Sequence, residues 1–119
     1  TFFGYKQGRI ASSQSYDLLH WELTGHELSI AESSYYQRRR DPSVTWDENT
    51  QQYYCVMTVR LPGPKLHQQG AIALASSRDL RHWTDHGVVV QDLQSDEPEC
   101  PQLFRIGQHW YITASIYVR

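Results

Sequence analysis

The feature that most constrains the fold is an internal repeat. The segment GRIASSQSYDLLHWELTG, which begins at Gly8, aligns without gaps with GAIALASSRDLRHWTDHG, which begins at Gly70, 62 positions later. The matched pairs are Gly8/Gly70, Ile10/Ile72, Ala11/Ala73, Ser15/Ser77, Asp17/Asp79, Leu18/Leu80, His20/His82, Trp21/Trp83 and Gly25/Gly87. A weaker match pairs Pro42 with Pro101 and Tyr54 with Tyr111. Repeats of this length are typical of folds in which each unit packs only against its neighbours.

The residues within and around the repeat favour strands. The chain has eight Tyr and four Trp, and no segment keeps an apolar period of 3.6 residues, so helices are not indicated. Short apolar runs are separated by Gly, Asn, Asp, Ser and Pro, which are turn residues. The segment WDENTQQYY predicts a hairpin whose turn is supplied by residues 47–50. We therefore predict an all-β chain.

The repeat predicts the strands of one β-propeller blade. We expect an inner strand, two middle strands and an outer strand at about residues 41–47, 52–60, 70–77 and 87–91. The S-x-D-L-x-H-W motif should form a compact turn before the outer strand. Ser and Asp would cap this turn through hydrogen bonds to the backbone, and Trp would fill the space between twisted sheets. The repeated His and Trp of this motif are therefore interpreted as architecture.

This reading divides a single domain into successive antiparallel blades. Residues 1–37 would form most of one blade, residues 38–97 a complete four-stranded blade, and residues 98–119 the start of the next, or about two to two and a half blades. The chain begins and ends in strand-like sequence, so we expect it to be cut from something longer. Because unpaired edges favour association, we also expect a homodimer or a strand-swapped assembly that closes the propeller.

Composition argues against several classes of function. A net charge of −2 disfavours a nucleic-acid or membrane-surface partner, although Arg38–Arg40 is a local basic run. The apolar runs are too short to span a bilayer. No zinc site is predicted from the six histidines, and the state of Cys55 and Cys100 stays open. No signal-like segment occurs, so the compartment is not predicted.

Two tripeptides stand one repeat apart. Arg40-Asp41-Pro42 and Glu99-Cys100-Pro101 both lie at the predicted start of an inner strand, with 58 positions between the two carboxylates. Inner strands of a propeller converge on one axis, so these carboxylates should lie close together. Simpler interpretations remain open: Glu99 could be a loop carboxylate beside other acids, Asp41 a turn cap, and Arg40 part of a solvated cluster.

The R-D-P, S-R-D-L-R-H-W and E-C-P motifs, in this order, resemble glycoside hydrolase family 32, the five-bladed propeller invertases, inulinases and levanases. The chain is more loosely similar to family 43 arabinanases and xylosidases. The resemblance covers about two of five blades and implies an all-β partial five-bladed β-propeller. It implies that Glu99 is the general acid/base, that Asp41 stabilises the transition state, and that Arg40 helps to hold the sugar. Cys100, expected as a small buried side chain beside the site, and Trp46 are further substrate-binding candidates, although Trp46 could equally pack in the core.

The resemblance implies a retaining β-fructosidase that needs no metal or organic cofactor and takes a carbohydrate as its partner. Retaining cleavage requires a carboxylate nucleophile and a second carboxyl group that donates a proton. The family's nucleophile lies in an N-D-P-N-G-type motif, which has no match among these 119 residues, so we expect little or no turnover from this chain alone. The alternatives are a non-catalytic carbohydrate-binding or self-assembling propeller module and a family 43-like arabinosidase or xylosidase.

Overall fold

The chain is all-β, as predicted. A computed structural model describes residues 2–6, 9–28, 37–63, 69–91 and 93–117. Within these ranges there are nine strands and no helix, and therefore no helix long and apolar enough to cross a membrane. The strands are β1 (Phe2–Lys6), β2 (Arg9–Gln14), β3 (Glu22–Glu27), β4 (Gln37–Asp47), β5 (Gln52–Arg60), β6 (Gly70–Ser77), β7 (Trp83–Val90), β8 (Glu99–Ile106) and β9 (His109–Ser115).

The nine strands form three antiparallel sheets in which strands adjacent in sequence are adjacent in space. Their orders are β1-β2-β3, β4-β5-β6-β7 and β8-β9. Two strands begin earlier than predicted. The inner strand β4 begins at Gln37 rather than near Asp41, and the outer strand β7 begins at Trp83 rather than Gly87. The second difference arises because Ser77 pairs directly with Trp83, so strand pairing resumes at the last residue of the turn motif.

The S-x-D-L-x-H-W motif forms the compact turn that was predicted. In the second copy, Ser77 Oγ accepts hydrogen bonds from the backbone N–H groups of Asp79 and Leu80 at 3.2 and 2.9 Å. Asp79 Oδ1 accepts from the next two N–H groups of the turn, including that of His82 at 2.8 Å. Trp83 Nε1 donates to the Leu80 carbonyl at 3.3 Å. Leu80 has a φ of 61°, so the turn holds a bulky residue in the left-handed region.

The first copy of the motif repeats these bonds around Ser15 and Asp17. His20 Nδ1 lies 2.6 Å from Asp17 Oδ2, just as His82 Nδ1 lies 2.6 Å from Asp79 Oδ2. These contacts hold the pKa of both carboxyl groups well below their usual range. The largest cause is the His20 side chain for Asp17 and the His82 backbone N–H for Asp79. The repeated histidines therefore serve the turn, as interpreted from the sequence.

The four-stranded sheet is covered on both faces. One face packs against Ile10 of β2 and against Leu28, the residue that follows β3. The residues on this face are Cys55, Met57, Val59, Ala71, Ala73 and Ala75. The other face carries Val56 and Ile72, which pack with Leu103 of β8. Successive β5 residues alternate between the two faces because strand side chains have a period of two. Burial raises the pKa of the Cys55 thiol to about 12, and this cysteine is free.

The inner strands β4 and β8 lie side by side although they belong to different sheets. Three contacts join them in the same order along both strands, each between residues 58 or 59 positions apart. They are Cys100 N to Asp41 Oδ2 at 3.3 Å, Thr45 Oγ1 to the Leu103 carbonyl at 2.7 Å, and Arg105 Nη1 to Asp47 Oδ1 at 3.4 Å. The two strands therefore run in the same direction and bring equivalent positions of the repeat together.

Candidate functional site

The candidate site lies where β8 begins against an irregular part of β4. The pairing of β4 with β5 shifts register between Gln37 and Arg40 and again between Arg40 and Ser43. The pairing of β8 with β9 shifts between Glu99 and Gln102. Such shifts re-aim side chains, and they are frequent next to active sites. Both R-D-P and E-C-P therefore occupy bulged backbone rather than regular strand.

Each bulge contains a residue in the left-handed region. Asp41 has a φ of 50° and Cys100 a φ of 49°. Neither is glycine, and the left-handed region costs about 1–2 kcal/mol at Cys100, whereas an aspartate such as Asp41 adopts it more readily. The prediction that Cys100 is buried is wrong: its side chain is exposed, whereas Pro101 is fully buried. The turn of the backbone at Cys100 directs the next residue, not the cysteine, into the protein.

Asp41 and Glu99 are brought to the same place. The Cys100 N–H, which directly follows Glu99, donates to Asp41 Oδ2 at 3.3 Å. Asp41 is half-buried, while 59% of the Glu99 side chain is exposed. An exposed carboxyl group beside a fixed carboxylate can reach a bound ligand while its neighbour accepts hydrogen bonds from the same ligand. The structure thus places the Asp41 carboxylate against the backbone of the residue that follows Glu99.

Arg40 contacts both β5 and the start of β8. Its carbonyl accepts a hydrogen bond from Thr58 Oγ1 at 3.1 Å, which fixes the backbone. Its Nη2 lies 4.0 Å from Glu99 Oε1 and 3.8 Å from Glu97 Oε2. Nη2 is buried and has no hydrogen-bond partner within the described residues. Because a buried guanidinium N–H is costly to leave unpaired, this atom is suited to donate to a ligand oxygen.

A cavity of about 270 Å³ adjoins Arg40. It is lined by Arg38, Arg40, Thr58, Val59, Arg60, Asp96, Glu97 and Pro98. Glu97 is one of the acids beside Glu99 that favour a loop interpretation from sequence alone. In the structure its carboxylate lies 3.6 Å from Arg38 Nη1 as well as near Arg40. No spacing or motif signals this contact, because it depends on how the loop before β8 is folded.

Trp46 is not brought to this place. It lies five residues beyond Asp41 on β4, about 17 Å along an extended strand. Its ring packs on Tyr53, with ring centroids 4.5 Å apart, and 40% of the residue is exposed. Trp46 could therefore contact a ligand bound at Asp41 and Glu99 only if that ligand is several sugar units long. Its role in substrate binding stays a prediction.

A second, polar groove of about 470 Å³ lies at the turn end of β6 and β7. Ser76 Oγ and His86 Nε2 are 2.7 Å apart there, and His86 follows His82 by four residues. Among the described residues, however, no group of three or more His, Cys, Asp or Glu side chains could hold a metal ion. Among the described residues that line this groove, Asp79 is the one carboxylate, so they provide no pair like Asp41 and Glu99.

Comparison with known families bears directly on these motifs. A family model described as "Glycosyl hydrolases family 32 N-terminal domain" matches residues 7–118, which include β2 to β9 and both tripeptides. The N-terminal domain of that family is a β-propeller. Together with the three antiparallel sheets, the match confirms the predicted partial propeller, while the division of residues 1–37, 38–97 and 98–119 into successive blades stays a prediction.

Proposed function

The chain belongs to glycoside hydrolase family 32, whose substrates are carbohydrates, and we propose that it forms the part of a catalytic propeller that carries the acid/base and the transition-state stabiliser of a retaining β-fructosidase. The observation that carries the proposal is the bond from Cys100 N–H to Asp41 Oδ2, because it joins the R-D-P and E-C-P motifs at one point. Glu99 is the acid/base and Asp41 the stabiliser.

The geometry supports a division of labour among the three residues. The exposed Glu99 carboxyl donates its proton to the glycosidic oxygen as a carboxylate nucleophile attacks the anomeric carbon and the bond to the leaving alcohol breaks. Water then attacks the anomeric carbon of the glycosyl ester as Glu99 removes a proton from that water. The bond from this carbon to the nucleophile breaks, which releases the sugar and regenerates the carboxylate. Asp41 accepts hydrogen bonds from sugar hydroxyls, and Arg40 Nη2 donates to a sugar oxygen as charge develops on the ring.

The attacking carboxylate must come from outside the residues named here, since no N-D-P-N-G-type motif occurs in the 119 residues. We therefore propose that this chain alone has little or no turnover. Joining it to a first blade that carries such a motif should produce hydrolysis.

A release assay tests the proposal. Sucrose, inulin and levan are compared with arabinan and xylan oligosaccharides, using this chain alone and joined to such a blade. We expect release of fructose by the joined protein only, and a loss of about 100-fold or more with Glu99→Gln. Hydrolysis should be unaffected by Glu48→Gln, because Glu48 is an exposed acid in the turn that follows β4. Robust turnover by the 119 residues alone, or activity confined to pentosides, would contradict it.

A second candidate function is self-assembly through an open sheet face. Phe104 and Tyr111 stack with ring centroids 5.8 Å apart on β8 and β9, and both are exposed. An exposed aromatic pair on the last blade favours a partner sheet, which a second copy could supply. Light scattering after size exclusion should then show a dimer that Phe104→Ser weakens. A monomer at all concentrations would exclude this function. For the other alternative, a non-catalytic carbohydrate-binding module, the favourable result would be glycan binding that survives Glu99→Gln.

A further inference from the structure

The loop that precedes β8 is fixed to the central blade. The Gly70 N–H donates to the Ser95 carbonyl at 2.8 Å, and the Gln69 N–H donates to Asp96 Oδ1 at 3.2 Å. Within the loop, the Glu97 N–H donates to Ser95 Oγ at 3.3 Å. Pro98 is fully buried. The backbone on both sides of Glu97 is therefore held in place, and Glu97 is presented from a rigid support.

That support places the Glu97 carboxylate between two arginines of β4. Its two oxygens lie 3.6 Å from Arg38 Nη1 and 3.8 Å from Arg40 Nη2. The same Arg40 nitrogen lies 4.0 Å from Glu99. None of these distances is short enough for a full charge-assisted hydrogen bond, which is about 2.7–2.9 Å. One guanidinium nitrogen is thus shared by two carboxylates and committed to neither.

We propose that Glu97 is a positioning residue of the active site, which draws Arg40 away from Glu99 and leaves the Glu99 carboxyl free to exchange its proton. The proposal rests on the proposed function, in which Glu99 is the acid/base. When Glu97 is neutral, Arg40 is drawn to Glu99 alone, and a negative charge beside Glu99 is lost. Both changes favour the ionised form of Glu99, so it donates a proton less readily.

The surroundings of Glu99 allow this effect to be isolated. The charged residues near Glu99 come from two elements. Strand β4 contributes Arg38, Arg40 and Asp41, and the loop before β8 contributes Glu97. Asp96 and Arg60 line the adjoining cavity but bond to Gln69. On β9 the residue opposite Glu99 is the uncharged Ser115. Substitution of Glu97 by Gln therefore changes one charge in this group while its hydrogen-bonding shape is kept.

Carboxyl ¹³C NMR of this chain tests the proposal without any turnover. The Glu99 signal is assigned by its loss in Glu99→Gln, and its titration midpoint is compared in the wild type, Glu97→Gln, Glu97→Asp and Glu48→Gln. Loss of the negative charge of Glu97, which shares Arg40 with Glu99, predicts a lower midpoint in Glu97→Gln than in the wild type. We expect Glu97→Asp to restore most of the wild-type midpoint and Glu48→Gln to leave it unchanged.

An unchanged or raised midpoint in Glu97→Gln overturns the proposal. So does an equal shift in Glu97→Asp, because that result would indicate packing rather than charge. Amide spectra of each variant establish that it is folded. The NMR test and the hydrolysis assay can fail independently. A shifted Glu99 midpoint in a protein that shows no hydrolysis refutes only the proposed hydrolase function. Conversely, Glu99-dependent hydrolysis without the shift refutes only the role of Glu97.

Discussion

Replacement of Gly70 by alanine should disrupt the support of the candidate site. A Cβ at Gly70 would overlap the Pro98 side chain and the Ser95 carbonyl oxygen, and it would lie 2.9 Å from the Asp96 carbonyl carbon. Two of these atoms belong to the backbone, so no rotation of a side chain relieves the overlap. The loop must move away by about 1 Å to reach ordinary van der Waals contact.

That movement has two separable costs. Overpacking of a tight contact costs about 1–3 kcal/mol. Displacement of the loop also weakens the 2.8 Å bond from Gly70 N–H to the Ser95 carbonyl, which costs about 1 kcal/mol. We therefore expect Gly70→Ala to lower the free energy of unfolding by about 2–4 kcal/mol, or the melting temperature by roughly 10 °C.

Urea unfolding followed by tryptophan fluorescence measures this loss. Gly107→Ala is the matched control, because a Cβ there has nothing within 4 Å and only its φ of +60° is strained. That strain predicts a loss of about 1 kcal/mol. If Gly70→Ala cost no more than Gly107→Ala, the rigid attachment of the loop, and with it the argument for a fixed Glu97, would be refuted.

Three further predictions concern the turn, the contact between inner strands and the thiols. The folded state holds the pKa of Asp79 below its unfolded value of about 3.9, so the ionised carboxylate stabilises the fold above that pH. This stabilisation is lost as pH falls through the folded pKa. Asp79→Asn should therefore destabilise the protein at pH 7 by a margin that shrinks in acid. Urea midpoints across pH measure this margin, and a constant margin would contradict it. Thr45→Val removes the 2.7 Å bond to the Leu103 carbonyl and should lower the free energy of unfolding by about 1 kcal/mol; an unchanged urea midpoint would count against this bond. Thiol titration of the native protein at pH 8 should find Cys100 reactive and Cys55 inert until unfolding, whereas two fast thiols would contradict the buried position of Cys55.

The sequence was sufficient for features that depend on local chemistry. The Ser, Asp and Leu of the repeated motif can form their turn with hydrogen bonds inside a few residues, so Ser77 and Asp79 could be assigned correctly without the rest of the fold. The 58-residue spacing also predicted that Asp41 and Glu99 would meet, because a repeat aligns equivalent positions of neighbouring blades.

Features that depend on backbone irregularity were not predictable. Nothing in E-C-P shows that Cys100 adopts a positive φ, and a regular strand start led to the wrong expectation that its side chain is buried. Likewise, nothing in the sequence shows that β4 extends back to Gln37 through two register shifts, the second of which spans Pro42. The contact of Glu97 with two arginines follows from a loop docked on Gly70, a tertiary relation with no local signal.

If the R-D-P and E-C-P motifs form one carbohydrate site, amide NMR titration of this chain with a fructose-terminated oligosaccharide should locate binding there. We predict that shift changes centre on Arg40, Asp41, Glu99 and Cys100, and that Asp41→Asn abolishes them. Changes centred on the groove around Ser76 and His86, or unaltered binding by Asp41→Asn, would contradict it.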